Sequence, residues 1–228
     1  LANFLALSSE EKVTSVLALP KELKLVDKLS LMMVTKQGVA KRVAAKSFAD
    51  VRRSGIIAIK LTAGDELLSV VPVQKGDEVI LASQSGQAIR FKESDIREMG
   101  RTAAGVRAIK LKKSDYLVGA DAIGKDLVGV GEFLVVMENG YGKKTKLKEY
   151  KVQKRSGSGI KTAQVTAKTG KLMSSRVISI QTEIVTISKN GQIIRTSLDG
   201  ISSLGRQTQG VRIMKLREGD KIASLTCL

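Results

Sequence analysis

The stretch 77–111, DEVILASQSGQAIRFKESDIREMGRTAAGVRAIKL, returns three more times in altered form, and this recurrence restricts the possible folds more than any other feature of the chain. Each copy runs from an apolar strand through a tight turn ending in glycine to a second strand carrying a basic residue. A polar segment, a basic residue, a glycine and a last apolar strand follow. The turn glycines Gly38, Gly86, Gly140 and Gly191 are separated by 48, 54 and 51 residues, and an arginine stands 15 positions after each, at Arg53, Arg101, Arg155 and Arg206.

The strand that opens each unit reads KVTSVLAL (12–19), ELLSVVPV (66–73), YLVGADAI (116–123) and LMSSRVI (172–178), with a fifth copy, KIASLTCL (221–228), at the end. Alternation of small and apolar residues marks strands with unequal faces. The hairpins turn at Asn139-Gly140 and Asn190-Gly191 in two copies, a dipeptide that suits a type I′ turn. The closing strands are GIIAIKL (55–61), GVRAIKL (105–111), GIKTAQV (159–165) and GVRIMKL (210–216). Helix signals are weak, with at most one turn near KESDIREM (92–99). Four strands in about fifty residues, repeated, predict an all-β array of blades, because no such unit buries both of its faces alone. The units span about 8–61, 62–111, 112–165 and 166–216, with a partial unit 217–228; residues 1–7, LANFLAL, read as the tail of a preceding repeat, and 1–228 as a single domain. Leu1 in place of Met is expected of a segment of a longer chain.

With 228 residues but only 3% aromatic residues and no Trp, the core is left to Val, Ile, Leu and Ala. The net charge of +17 points to an anionic partner, nucleic acid before membrane. Histidine is absent and Cys227 is alone, which excludes disulfides, Cys/His zinc sites and histidine acid–base chemistry within the chain. There is no signal peptide and no apolar run of about 18 residues, so a cytoplasmic product is expected. SGSGIKT (156–162) lacks the spacing and the strand-to-helix setting of a phosphate loop, and the carboxylates Asp65, Glu66, Asp77, Glu78 and Asp220 read as solvated turn residues. No arrangement of acid, base and nucleophile is visible.

Two basic clusters recur in register. Four positions after each turn glycine stands Arg42, Arg90, Lys144 or Arg195. Ile89 and Ile194 precede two of them, so strand alternation is expected to send the basic side chain to the opposite, outer face, while Lys41 and Lys143 thicken the charge in the other two units. Lys92 and Lys146 stand two residues further on. The second cluster pairs arginine with glycine: Arg52 and Arg53 with Gly55, Arg101 with Gly105, Lys154 and Arg155 with Gly159, Arg206 with Gly210. Arg107 and Arg212 lie just inside the closing strands. The glycines suit either close inter-blade packing or approach to a phosphate, and the arginines suit phosphate.

The strings SQSGQAIRFKESDIREMGRTAAGVRAIKL, ENGYGKKT and SLGRQTQGVRIMKL resemble blades of the carboxy-terminal domain of the DNA gyrase A subunit; the likeness spans essentially all 228 residues. The resemblance implies a β-pinwheel, a propeller-like disc whose neighbouring blades exchange strands, with double-stranded DNA wrapped around its basic rim. It further implies a noncatalytic part of a bacterial, nucleoid-associated type II topoisomerase. The rest of the gyrase A polypeptide, together with the gyrase B polypeptide, would be its partners. ATP and Mg would act in other parts of the holoenzyme, with no cofactor in this domain.

One departure is visible. The family carries a Gln-Arg-Arg-Gly-Gly-Lys-Gly box, and the nearest string here is QKRSGSG (153–159), in which Gln153, Arg155, Gly157 and Gly159 match, Lys154 is conservative, and Ser156 and Ser158 do not match. Either the box precedes Leu1, which the truncated opening unit favours, or the chain resembles the related topoisomerase IV subunit with a degenerate box. A propeller-like protein-interaction module is the rival of a different class. It would carry its charge on the top face or in the central channel rather than on the rim.

Overall fold

The computed structural model describes residues 13–18, 27–49, 51 and 55–228, and these form an all-β array of four sheets connected by short 3-10 turns. Each sheet is built on one hairpin: β1 (Leu29–Thr35) with β2 (Val39–Ala44), β4 (Glu78–Ser83) with β5 (Gln87–Lys92), β8 (Glu132–Met137) with β9 (Tyr141–Lys146), and β12 (Glu183–Ser188) with β13 (Ile193–Ser197). The opening strand of the next unit adds to the first strand of the hairpin, giving β3 (Leu67–Gln74), β7 (Leu117–Ile123), β11 (Leu172–Ile178) and β15 (Ile222–Cys227). The second strand of the hairpin takes a short closing strand that lies beyond the following hairpin in sequence: β6 (Val106–Arg107) on β2, β10 (Ile160–Lys161) on β5, and β14 (Val211–Arg212) on β9. A blade in space is thus stitched from two consecutive units of sequence, the hairpin from one and both flanking strands from the next.

The order across each sheet fixes what lies inside and outside. Strand β3 packs against β7, β7 against β11, and β11 against β15, so these line the centre of the array. The exchanged strands β6, β10 and β14 are the far edge of their sheets and form its periphery. Three of the sheets have four strands. The fourth, β13-β12-β15, has three, and β13 has no outer neighbour among the described residues.

Burial is deepest in the two inner sheets, each of which is sandwiched between two others. All six residues of β4 are buried, with Val79 and Leu81 turned into one core and Ile80 and Ala82 into the next. That is why EVILAS reads as a continuous apolar run rather than an alternating one. The first core joins Met32, Val34, Leu81, Phe91 and Ile109; the second joins Ile80, Phe133, Val135, Tyr150 and Leu172; the third joins Leu134, Val136, Ile184, Leu198 and Leu225. Two of the few aromatic residues, Phe133 and Tyr150, meet edge to face with centroids 5.5 Å apart. The Tyr150 hydroxyl lies 2.6 Å from Thr162 Oγ1, and burial pushes it up to about 12. Cys227 is half-buried and its thiol is pushed up to about 11, again by burial.

Three local expectations change, and a fourth, the turn near 92–99, holds. The hairpins are not type I′: Gly86 has φ +80° and its N–H donates to Ser83 O, but Asn139 and Asn190 do not have positive φ. The loops hold three residues, a type I turn followed by a left-handed glycine, and only the glycine needs the unusual conformation. Residues 13–18, expected as a strand, carry none, and neither do 55–61. By the pattern of the other units, both would join a hairpin preceding β1, and none is among the described residues. The turn expected near 92–99 is a 3-10 turn at Glu93–Asp95. Glu78 and Asp220, expected as solvated turn carboxylates, are buried; Asp220 Oδ1 accepts from the N–H groups of Asn190 (3.1 Å) and Lys221 (2.8 Å), tying the last hairpin turn to the strand beside it. Residues 1–7 lie outside the described residues. Among the described residues no helix is long and apolar enough to cross a membrane.

Candidate nucleic-acid interface

The four register-equivalent basic residues are each committed to a carboxylate. Arg90 contacts Glu78 through Nε at 2.5 Å, and its Nη1 donates to the carbonyls of Leu147 (2.7 Å) and Tyr150 (3.2 Å) in the next unit. Lys144 Nζ is 3.1 Å from Glu132 Oε2, Arg42 Nη1 is 3.5 Å from Glu93 Oε1, and Arg195 Nε donates to Glu183 Oε2 at 2.7 Å. Side-chain exposure is 5% for Arg90, 12% for Lys144, 19% for Arg42 and 66% for Arg195. The expected solvent-facing row is therefore corrected: Arg90 is buried, Arg42 and Lys144 are nearly so, and only Arg195 is open. Alternation did send Arg90 to the face opposite Ile89, but a neighbouring blade covers that face too.

Lys41 and Lys143 do not thicken the surface charge either. Both are fully buried. Lys143 Nζ donates to Arg206 O (2.7 Å), Gly205 O (2.5 Å) and Thr208 Oγ1 (3.0 Å), and Lys41 Nζ donates to Ala58 O (2.7 Å) and Arg101 O. Burial lowers both ammonium groups, Lys143 to about 8, with Arg206 adding to the shift and Glu149 opposing it. Each lysine thus ties down the loop that carries the next arginine.

Those loop arginines are clamps on the exchanged strands. Arg155 donates from Nε to Asp95 O (2.9 Å) and from Nη1 to Arg107 O (3.1 Å); Arg206 donates from Nη1 to Lys161 O (2.9 Å). Arg101, Arg155 and Arg206 are half-buried. Arg155 and Arg206, read from the sequence as suited to phosphate, also serve packing, since their donors satisfy backbone carbonyls of neighbouring segments. The glycines take the inter-blade role: a Cβ on Gly105 would meet Ala40 O at 2.7 Å, and one on Gly159 would meet Ala88 O at 2.6 Å. Arg52 and Arg53 lie outside the described residues.

What remains exposed is a different repeated set. Arg107 on β6, Lys161 on β10 and Arg212 on β14 are all exposed, and each pairs in register with the residue following a turn glycine, Val39, Gln87 and Tyr141 respectively. They occupy one equivalent position on three successive outermost strands. Arg107 and Arg212 stand out in the sequence; Lys161 does not, although its place two residues after Gly159 matches Arg107 after Gly105 and Arg212 after Gly210. Lys92, Lys146 and Lys154 are exposed as well, Lys154 at 94% and only loosely paired with Asp95 at 3.8 Å.

Around Arg212 several cations gather. Lys168 Nζ and the Arg212 guanidinium lie 5.5 and 5.7 Å from the Tyr141 ring centroid, and Arg212 Nη2 donates to the Tyr141 hydroxyl at 3.2 Å, which lowers the phenol below its usual range. With Lys215, Arg217 and Lys221 they line an open cleft of about 470 Å³. The centre is different: the cavity among β3, β7 and β11 is lined by Leu68, Ser69, Val118, Gly119 and Ser174, with Arg176 as its charged member. Arg176 is itself 3.4 Å from Asp121, whose carboxyl is raised to about 6 by burial against the opposing pull of Arg176.

Comparison with known proteins agrees with this architecture. Residues 29–74, 77–123, 132–179 and 182–228, one segment per hairpin, match the family model described as DNA gyrase C-terminal domain, beta-propeller. The chain is 36% identical over 223 residues to the DNA gyrase A protein of Staphylococcus epidermidis and 37% identical over 224 residues to that of Ureaplasma parvum, covering 98% of its own length in each. It spans about a quarter of those relatives, 24% and 26%. Among solved structures it matches a DNA gyrase A C-terminal domain with a TM-score of 0.85 at 27% identity, covering 99% of this chain and 73% of that one. It also shares the fold of the C-terminal domain of DNA topoisomerase IV, with a TM-score of 0.89 at 22% identity, covering 100% and 69%. A repeat of exchanged strands, with a row of open cations on its outermost strands, thus accompanies a family match that runs across all four hairpins, and the chain belongs to the DNA gyrase C-terminal domain family.

Proposed function

We propose that the chain binds duplex DNA without sequence preference and bends it along its periphery, as the noncatalytic C-terminal part of a gyrase A polypeptide. The observation that carries this reading is the register-equivalent row Arg107, Lys161 and Arg212 on the outermost strands, set against a central cavity whose charged lining residue, Arg176, is paired with Asp121. Equivalent positions on successive blades meet successive segments of one curved backbone, which suits phosphate contact and does not suit reading of base edges. Bending 20–30 base pairs by 40–90° costs roughly 1–6 kcal/mol, so the row needs support from the cations beside it. Lys92, Lys146, Lys154, Lys215 and the remaining outward N–H groups of Arg101, Arg155 and Arg206 supply that support.

In the holoenzyme the curved path presents a neighbouring segment of DNA to the strand-passage gate with one crossing sign and so favours negative supercoiling. The catalytic tyrosine, the ATP and Mg sites and the gyrase B polypeptide belong to other parts of that bacterial, cytoplasmic assembly. A protein-interaction module would place its charge in the central channel, where this chain has Arg176 already paired with Asp121.

Replacing Arg107, Lys161 and Arg212 by Ala should leave the melting curve close to that of the parent and lower the slope of log K against log salt by about 2.7, from ~0.9 per phosphate contact. Sealing nicked circles with ligase in the presence of the parent should shift the linking number in the positive direction, and the triple variant should shift it less. Tight binding with an unchanged linking number would leave only tethering.

A further inference from the structure

Two connecting segments close over the third hairpin turn and leave a cleft between them. On one side Asn139 Nδ2 donates to the carbonyls of Ala167 and Lys168, at 3.1 Å each, and the Asn139 N–H donates to Thr169 O at 3.0 Å. On the other the N–H groups of Ile213 and Met214 donate to Gly140 O at 2.9 and 3.2 Å, and that of Ile222 donates to Glu138 O at 2.8 Å. Both walls are tied to one turn, so the cleft is formed before anything enters it, which lowers the cost of binding. Asn139, which the turn itself does not need in a left-handed conformation, has its use here: its side chain holds the segment that carries Lys168.

Lys168 from one wall and Arg212, Lys215, Arg217 and Lys221 from the other line this cleft. Lys221 shares Glu138 at 3.1 Å, but Lys168, Arg212, Lys215 and Arg217 form no salt bridge among the described residues. The carboxylate at the border, Asp220, is 7% exposed and has its Oδ1 taken by two backbone N–H groups. Tyr141 draws two of the cations to one place, since Arg212 Nη2 donates to its hydroxyl and Lys168 lies over its ring. Lysines free on a surface spread apart under their mutual repulsion; here a ring and backbone ties gather them, and a multiply charged anion between them relieves that repulsion. The site occurs once in the repeat: the residue after the turn glycine is Val39, Gln87 or Gln192 in the other units, none of which offers a ring.

We propose that this cleft is a seat for linked phosphates, two or more adjoining units gripped by Arg212, Lys168 and Lys215. Arg212 belongs both to the peripheral row and to the cleft, but the cleft is a single pocket rather than a repeated position. Its volume of about 470 Å³ lies within the ~300–1,000 Å³ of sites that enclose small molecules. Arginine offers a planar fork to phosphate oxygens and lysine a point charge, so the set suits a phosphate chain better than a carboxylate. The same chemistry comes from two sources, the backbone of a duplex where it leaves the periphery and a free oligophosphate.

Calorimetric titration of the chain with tripolyphosphate at constant ionic strength tests this. Binding should saturate at one anion per chain, and Lys168→Ala/Lys215→Ala should weaken it by about tenfold or more, equivalent to ~1.4 kcal/mol. Lys148→Ala/Lys151→Ala removes equal charge from exposed positions beyond the far end of β9 and should leave it in place. Tyr141→Phe changes no charge but releases Arg212, and should weaken binding about threefold, the order of one hydrogen bond. Equal losses from the two double variants, or a Tyr141→Phe affinity equal to the parent's, would reduce the cleft to diffuse charge and overturn the proposal. The source is read from a duplex titration with tripolyphosphate at saturation. A duplex affinity lowered in the parent but not in Lys168→Ala/Lys215→Ala assigns the seat to the duplex backbone, and an undiminished affinity assigns it to a free oligophosphate. Loss of tripolyphosphate binding sinks this proposal without touching the peripheral row, whereas a parent chain that holds tripolyphosphate but does not bend DNA sinks the reading of the row and not this one.

Discussion

Arg90 and Arg195 occupy the same place in the repeat and differ in what surrounds them. Removing the Arg90 side chain leaves Glu78, itself 9% exposed, without its counterion and two carbonyls without donors, so Arg90→Ala should cost about 3–5 kcal/mol. Arg195→Ala, in solvent, should barely move the melting temperature, and equal effects of the two would contradict the burial difference. Lys143 adds a pH dependence whose sign is opposite to that of an ordinary surface lysine. Its folded value of about 8 lies below the ordinary lysine value of 10.5, so between those values the unfolded chain holds a proton that the folded one has released. Its contribution to stability therefore rises with pH across this window and is flat below it. The difference in melting temperature between the parent and Lys143→Met should grow from pH 8 to pH 10 in the parent's favour; a flat difference would mean that the ammonium titrates normally.

Strands and turns are legible in the sequence because their signals are local. β4 and β5 show as apolar runs on either side of a glycine, and the blade-like order follows from recurrence. What strand alternation cannot say is which face is wet: it places Arg90 opposite Ile89 correctly, but both faces of β5 meet neighbouring blades. The exposed row is harder to see because β10 is two residues long and reads as a loop on its own. It becomes a row only when Lys161 is placed across from Gln87 in another unit. The turn type escapes a sequence reading because Asn-Gly suggests two left-handed residues where the three-residue loop needs one. Consequently Asn190→Ala should be nearly neutral, while Gly191→Ala, at φ +82°, should cost about 1–2 kcal/mol. A denaturant titration of the two variants separates the turn types, since a type I′ turn would penalise both.

At the scale of the molecule, exchange makes the blades interdependent. No sheet of four strands is contiguous in sequence, so a hairpin cannot unfold without stripping the strands it borrows from the units that follow. Unlike a simple stack of repeats, whose ends can fray unit by unit, the described array should unfold in one transition with calorimetric and van't Hoff enthalpies in agreement. Resolved transitions for separate blades would show the exchanged strands to be dispensable. The same exchange has a consequence during synthesis. The hairpin β4–β5, with a strand buried along its whole length, leaves the ribosome complete at Lys92, but the strand that caps its edge, Ile160–Lys161, is some seventy residues away. At 5–20 residues per second this gap lasts about 3 to 14 s, during which the outer edge of β5, QAIRFK, stays open. An open strand edge can pair with a neighbouring nascent chain on a polysome, so the yield of native protein should fall as translating ribosomes crowd together.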